Sequence, residues 1–196
     1  MKKITIFASI FLSIIIGISA FTPIINLSES ISDKVFRLHI LANSDEEYDQ
    51  ELKLKVRDKI LTLSKELYSS CESVEDAVEI SQKNIDLIKE TTQKVISFYG
   101  YEYEASVYVA KEFFNTRKYE SFSLPAGVYD SLKIEIGQGK GKNWWCVMFP
   151  SVCLSGCTDD FKGTLTNEER KLIEEDKYIV KFKAVEIYEK IKNRLN

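Results

Sequence analysis

The sequence predicts an α+β protein: an antiparallel sheet of about four to five strands, with two long amino-terminal helices and a carboxyl-terminal helix packed on it. Three observations carry this prediction. Stretches of period-two patterning and stretches of three-and-four spacing occupy separate parts of the chain, and do not alternate one for one as in a doubly wound parallel fold. Capping patterns stand before the helical stretches. The 196 residues are 44% hydrophobic and 29% charged, enough for one body with a buried core and a leading segment.

Met1-Lys2-Lys3 is a short basic flank, and Ile4 to Ala20 is apolar and ends in small residues at Gly17, Ser19 and Ala20. This order reads as a signal peptide over residues 1–20, cut after Ser19 or Ala20. Charge stays absent through Ser28, so an uncleaved anchor reaching to about residue 28 and spanning roughly 30 Å of hydrocarbon is the competing reading. On either reading the remaining body, expected as a single α+β domain over residues 33–196, lies outside the cytoplasm.

Val35 to Leu41 suits a strand, because apolar and polar residues partly alternate there. Ser44 with Glu47 makes an S-x-x-E capping box, and Leu52, Val56, Ile60, Leu63 and Leu67 then give one apolar stripe, so a helix is expected from Glu46 to about Tyr68. A second long helix is expected from Ser73, its inner face marked by Ala77, Ile80, Asn84, Leu87 or Ile88, Val95 and Phe98, with Gly100 ending it. Period two follows from Tyr101 to Val109, and strands are expected again at about Lys118–Ser123, Val128–Ile136 and Asn143–Phe149. Breaks at Leu124–Gly127 and Gly137–Lys142 suggest a meander. Thr166 with Glu169 forms a second capping box, and Ala184 or Val185, Ile187 or Tyr188, Ile191 and Leu195 mark a closing helix. Tyr178–Phe182 reads equally as strand or helix.

The net charge of −3 argues against nucleic-acid binding, which needs a basic face, and loss of Lys2 and Lys3 with the signal makes the body more acidic still. A single histidine, His39, rules out an H-E-x-x-H metal helix, and there is no G-x-S-x-G elbow. Gly137-Gln138-Gly139-Lys140-Gly141-Lys142 lacks the G-x-x-x-x-G-K-[ST] pattern and reads as a flexible hairpin between strands, not a phosphate loop. No cofactor is expected.

Arg37-Leu38-His39-Ile40-Leu41-Ala42-Asn43-Ser44-Asp45, then Asp49-Gln50, Leu52-Lys53 and Val56-Arg57-Asp58, resemble the amino-terminal motif of the stage II sporulation protein R family. Gly137 through Trp144-Trp145-Cys146-Val147-Met148-Phe149-Pro150, ending at Cys153, is similar to that family's tryptophan-cysteine-proline segment. The resemblance implies a protein made in the forespore and secreted into the space between forespore and mother-cell membranes. There it would trigger a membrane-embedded aspartic protease that removes the pro-sequence of sigma-E, without being an enzyme itself. The second reading is an exported cell-wall hydrolase working with a pair of carboxylates.

The candidate partner-binding residues are those of the motifs, each with a plainer structural role beside it. His39, next to Arg37, is more simply a hydrogen-bonding histidine than a general base. Asn43, Ser44 and Asp45 suit a helix cap. Asp49, Gln50, Lys53, Arg57 and Asp58 fall along one helix, where Asp49–Lys53 is an i,i+4 pair of the kind that forms a solvated face. Trp144 and Trp145 must point to opposite faces of a strand, so one enters the core. The other packs under the closing helix or stands exposed as an anchor for the protease or a membrane. Cys146 and Cys153 are the expected disulfide pair, with Cys157 an additional thiol beside them and Cys71 the fourth cysteine. A zinc site combining cysteines with His39 lacks C-x-x-C spacing.

Overall fold

The computed structural model describes residues 2–119, 122–150, 163–174 and 179–195. The elements run α1 (Lys2–Ser32), β1 (Phe36–Leu41), α2 (Glu47–Leu67), α3 (Val74–Lys83), α4 (Ile85–Phe98), β2 (Ala105–Phe114), β3 (Arg117–Lys118), β4 (Ser123–Leu124), β5 (Gly127–Ile136) and β6 (Asn143–Phe149). They close with α5 (Asn167–Glu174) and α6 (Ile179–Leu195). The chain divides into two compact units, one of Ser32–Glu112 with Val128–Thr166, the other of Met1–Ile31, Phe113–Gly127 and Asn167–Asn196.

The first unit holds the main sheet. Its four strands lie in the order β2-β5-β1-β6, and the α+β class read from the sequence holds. The sheet is mixed, however, where a meander was expected. β1 pairs parallel with β5 (Leu38 opposite Leu132) and antiparallel with β6 (Leu38 opposite Cys146). β1 therefore inserts between β5 and β6, which sequence order alone would pair. A strand with neighbours on both sides can be buried throughout, and Phe36 to Ile40 are.

Alternation along the strands sends one set of side chains toward the helices. Phe36, Leu38, Ile40, Leu132, Ile134, Ile136, Cys146 and Met148 pack with Leu52, Val56 and Ile60 of α2, Val74 and Ala77 of α3, and Ile88 and Ile96 of α4. The second long helix is two. α3 starts at Ser73, whose hydroxyl accepts from the Asp76 amide in a reciprocal capping box, and it stops at Asn84. There the Asn84 side-chain amide donates to the Ile80 carbonyl at 2.8 Å, a local bond that competes with continued α geometry. The interruption resets the phase of α4, whose buried stripe is Ile88, Thr92 and Ile96. Phe98 lies two residues past Ile96, about 200° round the helix, and is 81% exposed instead of facing inward.

Two further expectations change. Tyr101 to Glu104 are outside the strand, which begins at Ala105. The run Lys118–Ser123 is not one strand: β3 and β4 pair as a small antiparallel sheet, with the Tyr119 amide donating to the Phe122 carbonyl at 2.8 Å.

In the second unit, α1 continues to Ser32 with Pro23 inside it. Ile24, Ser28 and Ile31 are buried. The Ser30 hydroxyl donates to Glu169 of α5 at 2.7 Å, and Lys192 of α6 pairs with Glu29. α6 confirms the closing helix over Ile179–Leu195, but its buried side chains include Phe182, Val185, Glu186 and Glu189, while Ile187, Tyr188 and Ile191 are exposed. Tyr178 lies outside the described residues. Among the described residues, whose side chains in the first twenty positions are those of Phe7, Phe11, Leu12, Ser13 and Ser19, no helix is long and apolar enough to cross a membrane.

Candidate functional site

Most of the motif residues gather in two places, and the topology explains both. Because β1 runs parallel to β5 and antiparallel to β6, the connection from β5 to β6 has to cross the carboxyl end of β1. Residues 137–142 are therefore an arch over residues 42–45 and not a hairpin. Backbone pairs hold it there: the Gly141 amide donates to the Ala42 carbonyl at 2.9 Å and the Lys140 amide to the Asn43 carbonyl at 3.2 Å. The approach is so close that a Cβ on Gly141 would stand 2.1 Å from the Ser44 carbonyl oxygen, and one on Gly137 2.4 Å from Asn43 Oδ1. Only glycine fits such contacts.

Side chains then lock the arch to α2. Asp49, 1% exposed, accepts from Asn43 Nδ2 at 2.8 Å and from the Ser44 hydroxyl at 2.7 Å. Asn43 Oδ1 accepts from the Gln138 amide and Asp45 Oδ1 from the Lys142 amide. Gln50 donates to the Ser44 carbonyl, and Lys53 donates to Gln50 Oε1 at 2.6 Å and to the Lys142 carbonyl at 2.8 Å. Burial lowers the pKa of the Lys53 ammonium, and the Asp45 charge opposes that shift.

This arrangement corrects two expectations. Ser44 and Glu47 do not form a capping box, since the N-cap residue is Glu46 without a side-chain cap bond and the Ser44 hydroxyl accepts from the Glu46 amide instead. Asp49 and Lys53 are no solvated i,i+4 pair, since both are buried and turned to different partners of the clasp.

The second gathering is the sheet face away from α2–α4. His39 of β1 places Nδ1 3.0 Å from Glu112 Oε2 of β2, and Nε2 2.7 Å from Asn143 Oδ1 of β6. Both ring nitrogens thus face oxygen atoms of the neighbouring strands. From β5, the Ser131 hydroxyl donates to Glu112 at 2.8 Å, and Lys133 bridges Glu112 at 3.1 Å and Glu135 at 3.2 Å while lying 5.6 Å from the Tyr108 ring centre. The network thus ties all four strands. Burial acts to raise the Glu112 carboxyl, but hydrogen bonds from His39 and Ser131, the His39 charge and Lys133 outweigh it and bring it down to about 2. Burial likewise opposes the Lys133 charge, yet Tyr108, Glu112 and Glu135 hold its pKa above the ordinary value.

Arg37, on the same face, is fully buried with its guanidinium 4.9 Å from the Tyr129 ring centre. The two tryptophans point to opposite faces as the strand requires. Trp145 meets His39 edge-on at 5.4 Å, whereas Trp144 packs against the helix-side core beneath the Arg57 guanidinium, 5.2 Å away. Arg57 also pairs with exposed Asp58 at 2.7 Å. Cys146 is disulfide-bonded, and Cys153 and Cys157 lie outside the described residues.

Sequence reading missed Glu112, Ser131, Lys133, Glu135, Tyr108 and Asn143. Their outward parity, Ser131-x-Lys133-x-Glu135 above all, was visible. The strand order that brings them beside His39 was not.

Chemically the face holds Glu112 and Lys133 in their charged forms. A carboxyl near 2 is a weak base for Ser131 and a poor general acid, and a lysine held in its charged form is no nucleophile. Among the described residues no cluster of His, Cys, Asp and Glu suits a metal ion.

Fold and site together define an α+β protein built round a mixed sheet, most of its motif residues drawn into a loop clasp and a polar sheet face. It belongs to the stage II sporulation protein R family, whose model matches residues 32–159 and so takes in both clusters. The chain is 36% identical over 123 residues to stage II sporulation protein R of Bacillus subtilis (strain 168), a stretch covering 63% of this chain and 55% of that relative. The match thus spans about half the relative's length. No solved structure matches.

Proposed function

We propose that this chain is an exported sporulation signal, secreted from the forespore into the intermembrane space, that activates a membrane-embedded aspartic protease to process a sigma-E precursor. Family membership over residues 32–159 carries the reading. The polar clusters agree with it, because Asp49, Lys53, Glu112 and Lys133 are engaged with their neighbours in the fold and none is poised for bond-breaking. A cell-wall hydrolase working through carboxylates fits less well. Glu112 and Glu135, which share Lys133, include a carboxyl titrating near 2, far below what a general acid needs near neutrality.

Removal of the signal after Ser19 or Ala20 is part of the proposal. Among the side chains described there, those of Phe7, Phe11, Leu12, Ser19 and Phe21 are exposed and the first buried one is Ile24. Such a cut would leave Glu29 and Ser30 on the mature chain with their α6 and α5 partners. An uncut segment would instead hold the protein at the membrane, and the mass of the secreted chain distinguishes the two.

The function is tested by producing the chain, with and without residues 1–20, together with the protease and the sigma-factor precursor in non-sporulating cells. Precursor cleavage that depends on the export segment is expected. Absence of cleavage with both partners inserted and expressed would refute the activator reading.

A further inference from the structure

Away from both motif clusters, α2 and α4 enclose a groove of ≈ 790 Å³ lined by Lys55, Asp58 and Lys59 on one wall and Thr91, Lys94, Val95 and Phe98 on the other, with Tyr99 at its end. Its chemistry differs from the rest of the unit. Phe98 is 81% and Tyr99 47% exposed, their rings edge-on at 5.2 Å. A large phenylalanine so exposed at a groove offers apolar surface on which a partner's side chain could pack.

The charge is equally unspent. Lys94 pairs with Glu90 and Asp58 with Arg57, but Lys55 and Lys59 have no ion pair among the described residues, and Lys55 lies 5.9 Å from the Tyr99 ring centre. Two free ammonium groups beside an aromatic pair, on a chain whose net charge is −3, form a local basic spot on an acidic body.

We infer that this groove is a docking surface for an acidic segment of a protein partner, one whose apolar side chain packs on Phe98 and Tyr99 while its carboxylates face Lys55 and Lys59. Shape favours a chain segment over a bilayer, since a concave slot between two helices fills with a single strand or helix, whereas a flat surface is met by a protruding one. Charge complementarity sets the sign of the partner. On the proposed function, the partner is the extracytoplasmic part of the protease, and the inference rests on that reading only for this identity.

Two measurements test it separately. The purified chain is first titrated with a short synthetic peptide alternating glutamate and leucine, and with vesicles of anionic lipid. Saturable peptide binding that weakens with salt, and weakens about tenfold in both Phe98→Ala and Lys55→Glu/Lys59→Glu, is expected, while Lys89→Glu, exposed on the same helix, binds as wild type. No peptide binding, or vesicle binding alone, would overturn the inference. So would a dimer of the wild-type chain that Phe98→Ala dissolves, because the occupant would then be a second copy.

The same variants are then scored for precursor cleavage in cells. Loss of cleavage by Phe98→Ala and the double lysine variant, at undiminished secreted level, supports the assignment to the protease. Wild-type cleavage by both variants overturns it. A wild-type chain that binds the peptide but yields no cleavage contradicts the activator reading and leaves the groove's preference for acidic segments standing.

Discussion

The two faces of the four-stranded sheet are held by opposite means. Toward α2–α4, Leu38, Ile40, Leu132 and Ile134 are all fully buried hydrocarbon, and the cohesion is area removed from water, indifferent to pH. Toward the other side, the same strands present Arg37, His39, Ser131 and Lys133, and cohesion comes from charges that satisfy one another round Glu112. An apolar face tolerates imprecise partners of the right volume. A charged face fails when one member is lost, because the survivors stay buried without partners.

The largest effect should come from Leu38→Ala, which removes a central side chain of the apolar face and should cost roughly 2–5 kcal/mol. Urea midpoints measured at pH 7 and pH 4 should fall by similar amounts. Glu112→Gln should cost less at neutrality, on the order of 3 kcal/mol, and should change the pH profile. The wild-type carboxyl is depressed below its unfolded value, so its contribution is complete above the ordinary carboxylate range and is lost as pH falls toward about 2. The variant should lack that acid slope, and an unchanged slope would show that Glu112 is not the group responsible.

Gly141→Ala tests the clasp that closes the end of β1, against which both faces are registered. Its Cβ would meet backbone at Ser44, and about 1–3 kcal/mol should be lost, visible as a lower thermal midpoint and as faster amide exchange at Lys140 and Gly141. The smallest effect should come from Tyr68→Phe, which breaks a polar pair on the apolar side. The Tyr68 hydroxyl lies 2.7 Å from the Ser81 hydroxyl, and burial pushes its phenol up to about 12. Since Ser81 keeps its bond to the Ala77 carbonyl, about 1 kcal/mol is expected.

What was legible in the sequence is what local chemistry decides. Asn143–Phe149, the strand from Phe36 to Leu41 and the helix ending near Tyr68 follow from hydrophobic period, and the structure keeps them, although the capping box expected for that helix is not formed. The opposition of Trp144 and Trp145 follows from strand geometry alone. What was illegible depends on strand order. Nothing local says that β1 enters between β5 and β6, and from that one fact come the arch of residues 137–142, the use of Asn43, Ser44 and Asp49 as its lock, and the meeting of His39 with Glu112. The break at Asn84 is a middle case. Asparagine in a helix interior signals a break, and the new phase that begins after it turns Phe98 out.

Purified components distinguish the proposed role by binding from catalysis by the chain itself. The purified chain is added outside vesicles that carry the proposed protease partner and enclose the sigma-factor precursor, and precursor cleavage is followed against chain concentration. Cleavage that rises and saturates with the chain, and survives Ser131→Ala, is the predicted result. No cleavage at any concentration, or cleavage of a target by the chain alone, would contradict the account.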